Sequence, residues 1–372
     1  MRKTLSVLVV AVALIAAGTY YWYSKQPNPP TNVPIANVPQ NNEPVSVVAE
    51  NLDIPWDFVF LPDGGMLVTE RTGSLLLIGA DRDVEEIATR RPELRGESGL
   101  LGITLHPDFA ANRYLYLYMT TRNASDQTVN RVERYRFTGS ELTDEKLIID
   151  NIPGATYHDG GRMEFGPDGK LYITTGDATK GAIAQDKKSL GGKILRLNDD
   201  GSIPSDNPFA NAIWSYGHRN PQGLAWDSAG RLWETEHGPT GEQGLCCRDE
   251  VNLIVRGGNY GWPTIAGDTA KSGMIVSARN SGTDTWAPAS AAIIGNSLYF
   301  GALMGEALFE ATLDGSNVTA IKAHFKNEYG RIRTVRVGPD GYLYFSTSNR
   351  DGRGTPIATD DRIIRVDPKS LK

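Results

Sequence analysis

The stretch Gly166-Pro-Asp-Gly-Lys-Leu-Tyr-Ile173 reads as a tight turn running into a strand. Pro fixes φ at the turn, Gly supplies a positive φ, and aromatic and aliphatic residues alternate beyond it. The phrase recurs as Leu61-Pro-Asp-Gly-Gly-Met-Leu-Val68 and as His106-Pro-Asp-Phe109, which leads to Tyr114-Leu-Tyr-Leu-Tyr118. It returns as Asp227-Ser-Ala-Gly-Arg-Leu-Trp233, more weakly as Ile294-Gly-Asn-Ser-Leu-Tyr-Phe300, and last as Gly338-Pro-Asp-Gly-Tyr-Leu-Tyr-Phe345. Copies stand roughly 45 to 70 residues apart, each interval long enough for a four-stranded antiparallel sheet. Six copies predict an all-β fold, a six-bladed β-propeller. A pair of all-β sandwiches is the alternative. No sustained helical period follows the first 44 residues.

Composition agrees. The 372 residues include 40 Gly and 21 Pro, spread along the chain, which favours short strands and turns over helices. Net charge is −6, from 38 basic and 44 acidic residues, and this excludes nucleic acid as the main partner. The two cysteines, Cys246 and Cys247, are adjacent, so neither a disulfide framework nor a multi-cysteine metal site is present. A strained ring disulfide and two free thiols both remain open for that pair.

The N-terminus reads as a targeting segment. Arg2 and Lys3 precede an apolar run from Leu5 to Tyr23, close to the length that spans a bilayer. Tyr20, Tyr21, Trp22 and Tyr23 fall where the membrane interface would lie. Residues 1–25 are therefore a cleaved signal or an uncleaved anchor helix, and 26–44 a Pro- and Asn-rich linker. Residues 45–372 form the body, exported to the periplasm or another extracytoplasmic space, with the N-terminal segment as its one link to a membrane.

A propeller draws its site from many separated loops, and the informative polar residues are scattered accordingly. His158 lies in Tyr157-His-Asp-Gly-Gly-Arg162, a Gly-flanked loop suited to a general base. Asp177 ends the strand that follows and is placed to orient an imidazole. His218, Arg219, Asn220 and Gln222 crowd donors into one loop framed by Gly217, Pro221 and Gly223. Glu236-His-Gly-Pro239 and Asp249-Glu250 offer carbonyl and carboxylate oxygens, the ligands of hard cations. Arg331 and Arg333 alternate on one strand face and suit a polyanion; an exposed strand edge is the plainer reading.

These motifs, with Ser98-Gly-Leu-Leu-Gly-Ile-Thr-Leu-His-Pro-Asp-Phe109, Ser189-Leu-Gly-Gly-Lys-Ile-Leu-Arg196 and Asn259-Tyr-Gly-Trp-Pro263, resemble those of soluble aldose sugar dehydrogenases and quinoprotein glucose dehydrogenases. The resemblance spans residues 45 to 368. It implies oxidation of an aldose at its C1 hydroxyl, with pyrroloquinoline quinone (PQQ) and Ca²⁺ as cofactors and an external electron acceptor. It implies that His158 is the base, Asp177 its support, and Arg219 the group polarising the quinone. Glu97, Arg219, Asn220, Arg331 and Arg333 occupy cofactor-binding positions. The carbonyls of Gly238 and Pro239 match the ligands of the Ca²⁺ that holds PQQ, and Glu250 and Tyr260 those of a second, structural Ca²⁺.

The chain departs from the family pattern in four places. Glu97 stands where Gln is usual, and its charge opposes a tricarboxylate cofactor. Met304 replaces a cofactor-binding Lys. The segment around Asp284–Pro288 is short, and Thr240–Arg248 inserts a loop around the cysteine pair. A non-catalytic, Ca²⁺-stabilised propeller that binds a protein or glycan is the competing expectation. A lactone hydrolase is a third. Monomer and homodimer are both open.

Overall fold

A computed structural model describes residues 43–371. The signal or anchor segment, and the linker up to residue 42, lie outside the described residues. So the N-terminal helix expected there is not part of the architecture that follows. Among the described residues no helix is long and apolar enough to cross a membrane.

Twenty-four strands form six sheets of four. The first blade holds β2 (Pro55–Phe60), β3 (Met66–Glu70), β4 (Ser74–Ile78) and β5 (Val84–Thr89). The second holds β6 (Leu100–Leu105), β7 (Tyr114–Arg122), β8 (Thr128–Phe137) and β9 (Leu142–Pro153). The third holds β10 (Met163–Phe165), β11 (Leu171–Thr175), β12 (Lys193–Leu197) and β13 (Ile213–Tyr216). The fourth holds β14 (Asn220–Trp226), β15 (Leu232–His237), β16 (Glu250–Ile254) and β17 (Arg279–Asn280). The fifth holds β18 (Pro288–Ile294), β19 (Ser297–Ala302), β20 (Ala307–Asp314) and β21 (Asn317–His324). The sixth holds β22 (Ile332–Val337), β23 (Leu343–Thr347) and β24 (Ile363–Val366) from the end of the chain, and β1 (Val45–Ala49) from its start. Pairing of Val45 with Val366, and of Val47 with Ile364, closes the ring. A four-residue helix, α1 (Phe109–Asn112), precedes β7.

Every paired ladder is antiparallel, and the inner strands β2, β6, β10, β14, β18 and β22 contact one another in a closed circle. The recurring turn phrase occupies the same place in all six blades, the hairpin from inner strand to second strand. Its chemistry shows why. In the third blade Gly169 takes φ +70°, and Asp168 accepts from Lys170 N, from the Tyr172 hydroxyl at 2.9 Å and from Arg196 of the third strand at 3.0 Å. In the sixth, Asp340 accepts from Tyr342 N, Tyr344 and Arg365 in the same way. In the fourth, Asp227 accepts from Arg231 and the Trp233 indole. The aspartate thus ties the turn to its sheet, and the aromatic covers the join between blades.

The core lies between neighbouring blades, where Trp56, Tyr116 and Tyr118 pack with Leu171, Ile173 and Leu195, and Trp233 with Phe300 and Phe309. Each such side chain contributes about 1.5–3 kcal/mol through its removal from water. The axis is filled by charge. Arg162 ion-pairs with Asp57 and donates to Gln222 O and Thr334 Oγ1, touching three other blades. Arg336 bridges Asp57 and Glu164. Burial opposes the Asp57 charge, yet Arg162 and Arg336 outweigh it and hold its pKa below the ordinary value.

Candidate active site

One end of the ring collects the loops that enter each inner strand and those that join second strands to third. His158 precedes β10 and takes φ +64°, a conformation its Gly160–Gly161 neighbours help it reach. Its Nδ1 lies 2.7 Å from Asp177 Oδ1, in the loop after β11. Asp177 also accepts from Thr179 N at 2.8 Å and from the Trp262 indole at 2.7 Å. The carboxylate is fixed on three sides, so the ring is fixed too. With Nδ1 engaged, Nε2 is the free nitrogen: no hydrogen bond joins it to the protein among the described residues.

Glu97 touches the same loop. It accepts from His158 N at 3.1 Å, lies 3.5 Å from Asn220 Nδ2, and pairs with Arg353 at 3.1 Å. Burial opposes its charge, but neighbouring His237 and His158, the His158 amide and Arg353 outweigh this and bring its pKa down to about 2. Its negative charge, expected from the sequence to face a cofactor, is met within the protein by the His158 amide and Arg353. Asn220 Oδ1 in turn accepts from Gly160 N at 3.1 Å, locking the His158 loop from below.

Arg331 and Arg333 are 2% and 5% exposed, so the exposed-edge reading is overturned: β22 is an inner strand. Both approach Asp351 Oδ2, at 2.8 and 3.7 Å. Arg331 also meets Met304 Sδ at 3.6 Å, and Met304 itself is largely exposed. Arg333 and Arg162 both lie over Trp56, which therefore joins the site floor to the axial ion pairs. Burial lowers the Arg333 pKa to about 10, Asp351 opposing the fall. Arg71 and Arg353 complete a group of cations around two carboxylates, Asp351 and Glu97. Arg71, Asp351 and Arg353 went unread in the sequence. Asp351-Gly-Arg-Gly354, charges framed by glycines just after a repeat strand, was the available signal.

Arg219 is nearly buried. Its guanidinium pairs with Glu242 at 2.6 Å, donates to His237 O at 3.3 Å, and lies 5.6 Å from the Trp262 ring centre. Gly238 and Pro239 adjoin a small recess lined also by Glu236, Glu250, Tyr260 and Ala266. The Tyr260 hydroxyl is already bonded to Leu253 O and Val255 N, so only its main-chain carbonyl remains to serve a cation. Asp249 is spent on three amides, those of Gly238, Trp286 and Ala287. Beneath the recess, Asn252 Nδ2 bonds Glu234, Glu236 and Glu250 together. Burial raises Glu236 to about 7 and Glu250 to about 8, their mutual repulsion adding to the latter. Glu234 Oε1 and His218 Nδ1 are buried without a hydrogen-bond partner among the described residues, His218 Nδ1 lying 3.6 Å from Glu236 Oε1. Crowded oxygen donors of this kind are what a hard cation relieves.

His106 is structural, as its turn suggests: Nδ1 accepts from Asp108 N at 3.0 Å. Cys246 and Cys247 are joined as a disulfide.

Comparison with known proteins bears on this arrangement. A model of the family described as glucose/sorbosone dehydrogenase matches residues 52–359. The chain belongs to the glucose/sorbosone dehydrogenase family. Within it, the chain is 35% identical over 363 residues to the aldose sugar dehydrogenase YliI of Escherichia coli, covering 88% of this chain and 93% of that one. It is 34% identical over 310 residues to quinoprotein glucose dehydrogenase B of Acinetobacter calcoaceticus, covering 73% and 63%. Among solved structures it is similar to the PQQ-bound form of an aldose sugar dehydrogenase from Streptomyces coelicolor. The TM-score is 0.80 with 38% identity, over 86% of this chain and 97% of that one. The family, the six-bladed fold and the sugar-dehydrogenase scaffold read from the sequence therefore stand.

Proposed function

We propose that this protein is a PQQ- and Ca²⁺-dependent dehydrogenase that oxidises the C1 hydroxyl of aldoses to lactones. The observation that carries the reading is the His158–Asp177 pair, held by Trp262, in a loop that Glu97 links to Arg353.

The residues fit both groups. His237 Nε2 is buried with no partner among the described residues, beside Glu97 and Arg219. Arg331, Arg333, Arg71 and Arg353 outnumber the two carboxylates among them, and guanidinium forks match carboxylate groups. They, with Asn220, would hold an aromatic tricarboxylate. The recess sets carbonyl and carboxylate oxygens beside Arg219 and His237; Gly238 and Pro239 would serve the Ca²⁺ that holds the quinone, and Glu250 and Tyr260 a second, structural Ca²⁺. When bound, PQQ supplies a two-electron acceptor and Ca²⁺ a fixed positive charge beside it.

The chain's own work is then positional and acid–base. His158 Nε2 takes the C1 hydroxyl proton as the C1–H bond breaks, since a sugar hydroxyl does not ionise near neutral pH. Asp177 keeps Nδ1 protonated, which sets Nε2 as the acceptor, and stabilises the imidazolium that results. Arg219, whose guanidinium lies over Trp262, answers negative charge developing on the electron acceptor. Export through the Leu5–Tyr23 run, and electron delivery to an external acceptor, belong to the same reading.

The test is reconstitution of the full chain with PQQ and Ca²⁺, followed by dye reduction with a panel of aldoses. Reduction that needs PQQ, Ca²⁺ and sugar together is expected. Stoichiometric PQQ binding with no turnover on any aldose would return the chain to the binding-propeller reading.

A further inference from the structure

The insertion between Pro239 and Asp249 is a closed loop with an anchored base. Thr240 pairs with Cys246, and Gly241 N donates to Leu245 O at 2.8 Å. At the base, Thr285 Oγ1 donates to Cys247 Sγ at 2.7 Å and Arg248 N to Gly282 O at 3.0 Å. Gly238 packs so tightly here that an added Cβ would lie 1.9 Å from Cys247 O. At the tip, the short turn Glu242–Gly244 presents one carboxylate to the cleft.

That carboxylate reaches Arg219. Glu242 Oε1 accepts from Nη2 at 2.6 Å and from Nε at 3.2 Å, and Oε2 accepts from Thr240 N. The partners differ in burial. The Arg219 side chain is 4% exposed and the Glu242 side chain 39%. Asp351, the analogous partner of Arg331 and Arg333, is 7% exposed and also bonded to Ser348 Oγ and Arg353 N. Asp351 is built in, whereas Glu242 rides on a loop fixed only at its foot.

We propose that Glu242 is an internal occupant of the oxygen-binding position at Arg219, which an anionic quinone ligand must displace or share. This rests on the PQQ reading above and adds a determinant of cofactor affinity carried by the insertion. While Glu242 is in place, two of the guanidinium's N–H groups are taken and its charge is answered. A ligand oxygen arriving there meets a carboxylate as well as a cation.

The experiment titrates PQQ into the Ca²⁺-loaded full chain by calorimetry, comparing wild type, Glu242→Gln and the remote surface control Glu141→Gln. Hydrogen exchange of the 240–247 amides is followed with and without PQQ. Glu242→Gln keeps length and polarity, and an unchanged melting temperature will show that it folds. The expected result is a Kd lower by about two- to fivefold for Glu242→Gln, the gain from removing one partly exposed competing charge. Glu141→Gln should match wild type, and PQQ should speed exchange at Gly241 and Leu245 in wild type. Equal Kd values for all three, with loop exchange unmoved by PQQ, overturn the role of Glu242 while leaving the PQQ reading intact. Weaker binding by Glu242→Gln overturns it as well, since Glu242 would then support the ligand. Failure of all three to bind PQQ removes the underlying reading itself.

Discussion

His158 is held by one carboxylate and exposed to the cleft at its other nitrogen, so removing it should separate chemistry from binding. His158→Gln is expected to lower kcat by about 10²–10⁴-fold, the usual worth of a placed general base, with PQQ affinity unchanged. Wild-type turnover in that variant would move the base elsewhere. Its neighbour Asp159 behaves differently. It is buried, and despite hydrogen bonds from Asn130, Ala155 N and Ser98 its pKa is raised to about 6, burial being the dominant cause. A carboxyl whose folded pKa lies above its unfolded value stabilises the fold at low pH and loses that contribution as pH rises through about 6. Asp159→Asn should therefore flatten the fall in melting temperature between pH 4 and pH 7, relative to wild type, in a set of thermal scans. A histidine among glycines singled out His158 in the sequence, whereas Asp177, an ordinary turn residue taken alone, stood out only beside that loop and through the family resemblance. It did not show that Trp262, 85 residues beyond Asp177, completes the pair, since nothing local links an indole to a distant carboxylate.

The turn phrase was readable because it is self-contained: Pro, Asp and Gly set the backbone, and the Asp binds an aromatic four residues on and an arginine from the next strand. The full pattern recurs in blades three and six, and blade four keeps a variant of it in Asp227, Arg231 and Trp233. The connections at the opposite end share no such demand, and there the sequence was least informative. Arg353 follows β23 of blade six while its partner Glu97 leads into blade two, and Glu242 sits in an insertion after β15 that folds back to Arg219 at the entry to β14. Two of these loops make firm predictions. The part of the recess formed by Glu250 and Tyr260 should bind its structural Ca²⁺ without PQQ. At a free concentration of 100 times Kd this adds about 2.7 kcal/mol to stability, which shows as a rise of a few degrees in melting temperature over an EDTA-treated sample. An identical melting temperature in both would remove the cation from the recess. The insertion loop carries the Cys246–Cys247 disulfide, so the native protein should take up no thiol-alkylating reagent until reduced, and two equivalents afterwards, by intact mass.

The ring is closed by a strand from each end of the chain, and blade six lacks its outer edge without β1. Removing residues up to Ala49 should expose the β24 edge and lower the midpoint of denaturant unfolding, with more aggregation at equal concentration. If that midpoint is unchanged, β1 adds nothing to closure. That six blades would form was visible from spacing. That the last would be shared between termini was not, because β1 carries no turn phrase. The axial ion pairs were equally silent, since Asp57, Arg162, Glu164 and Arg336 meet only when blades one, three and six are brought around a common centre. Their consequence is one of traffic. Arg162, buried and tied to blades one, four and six, obstructs the axis, so traffic is directed to the end of the ring that carries the His158 loop. For the reaction proposed, sugar in, lactone out and the approach of the electron acceptor all use that doorway. Each visitor must leave before the next can enter, and saturating sugar should therefore delay the acceptor's turn.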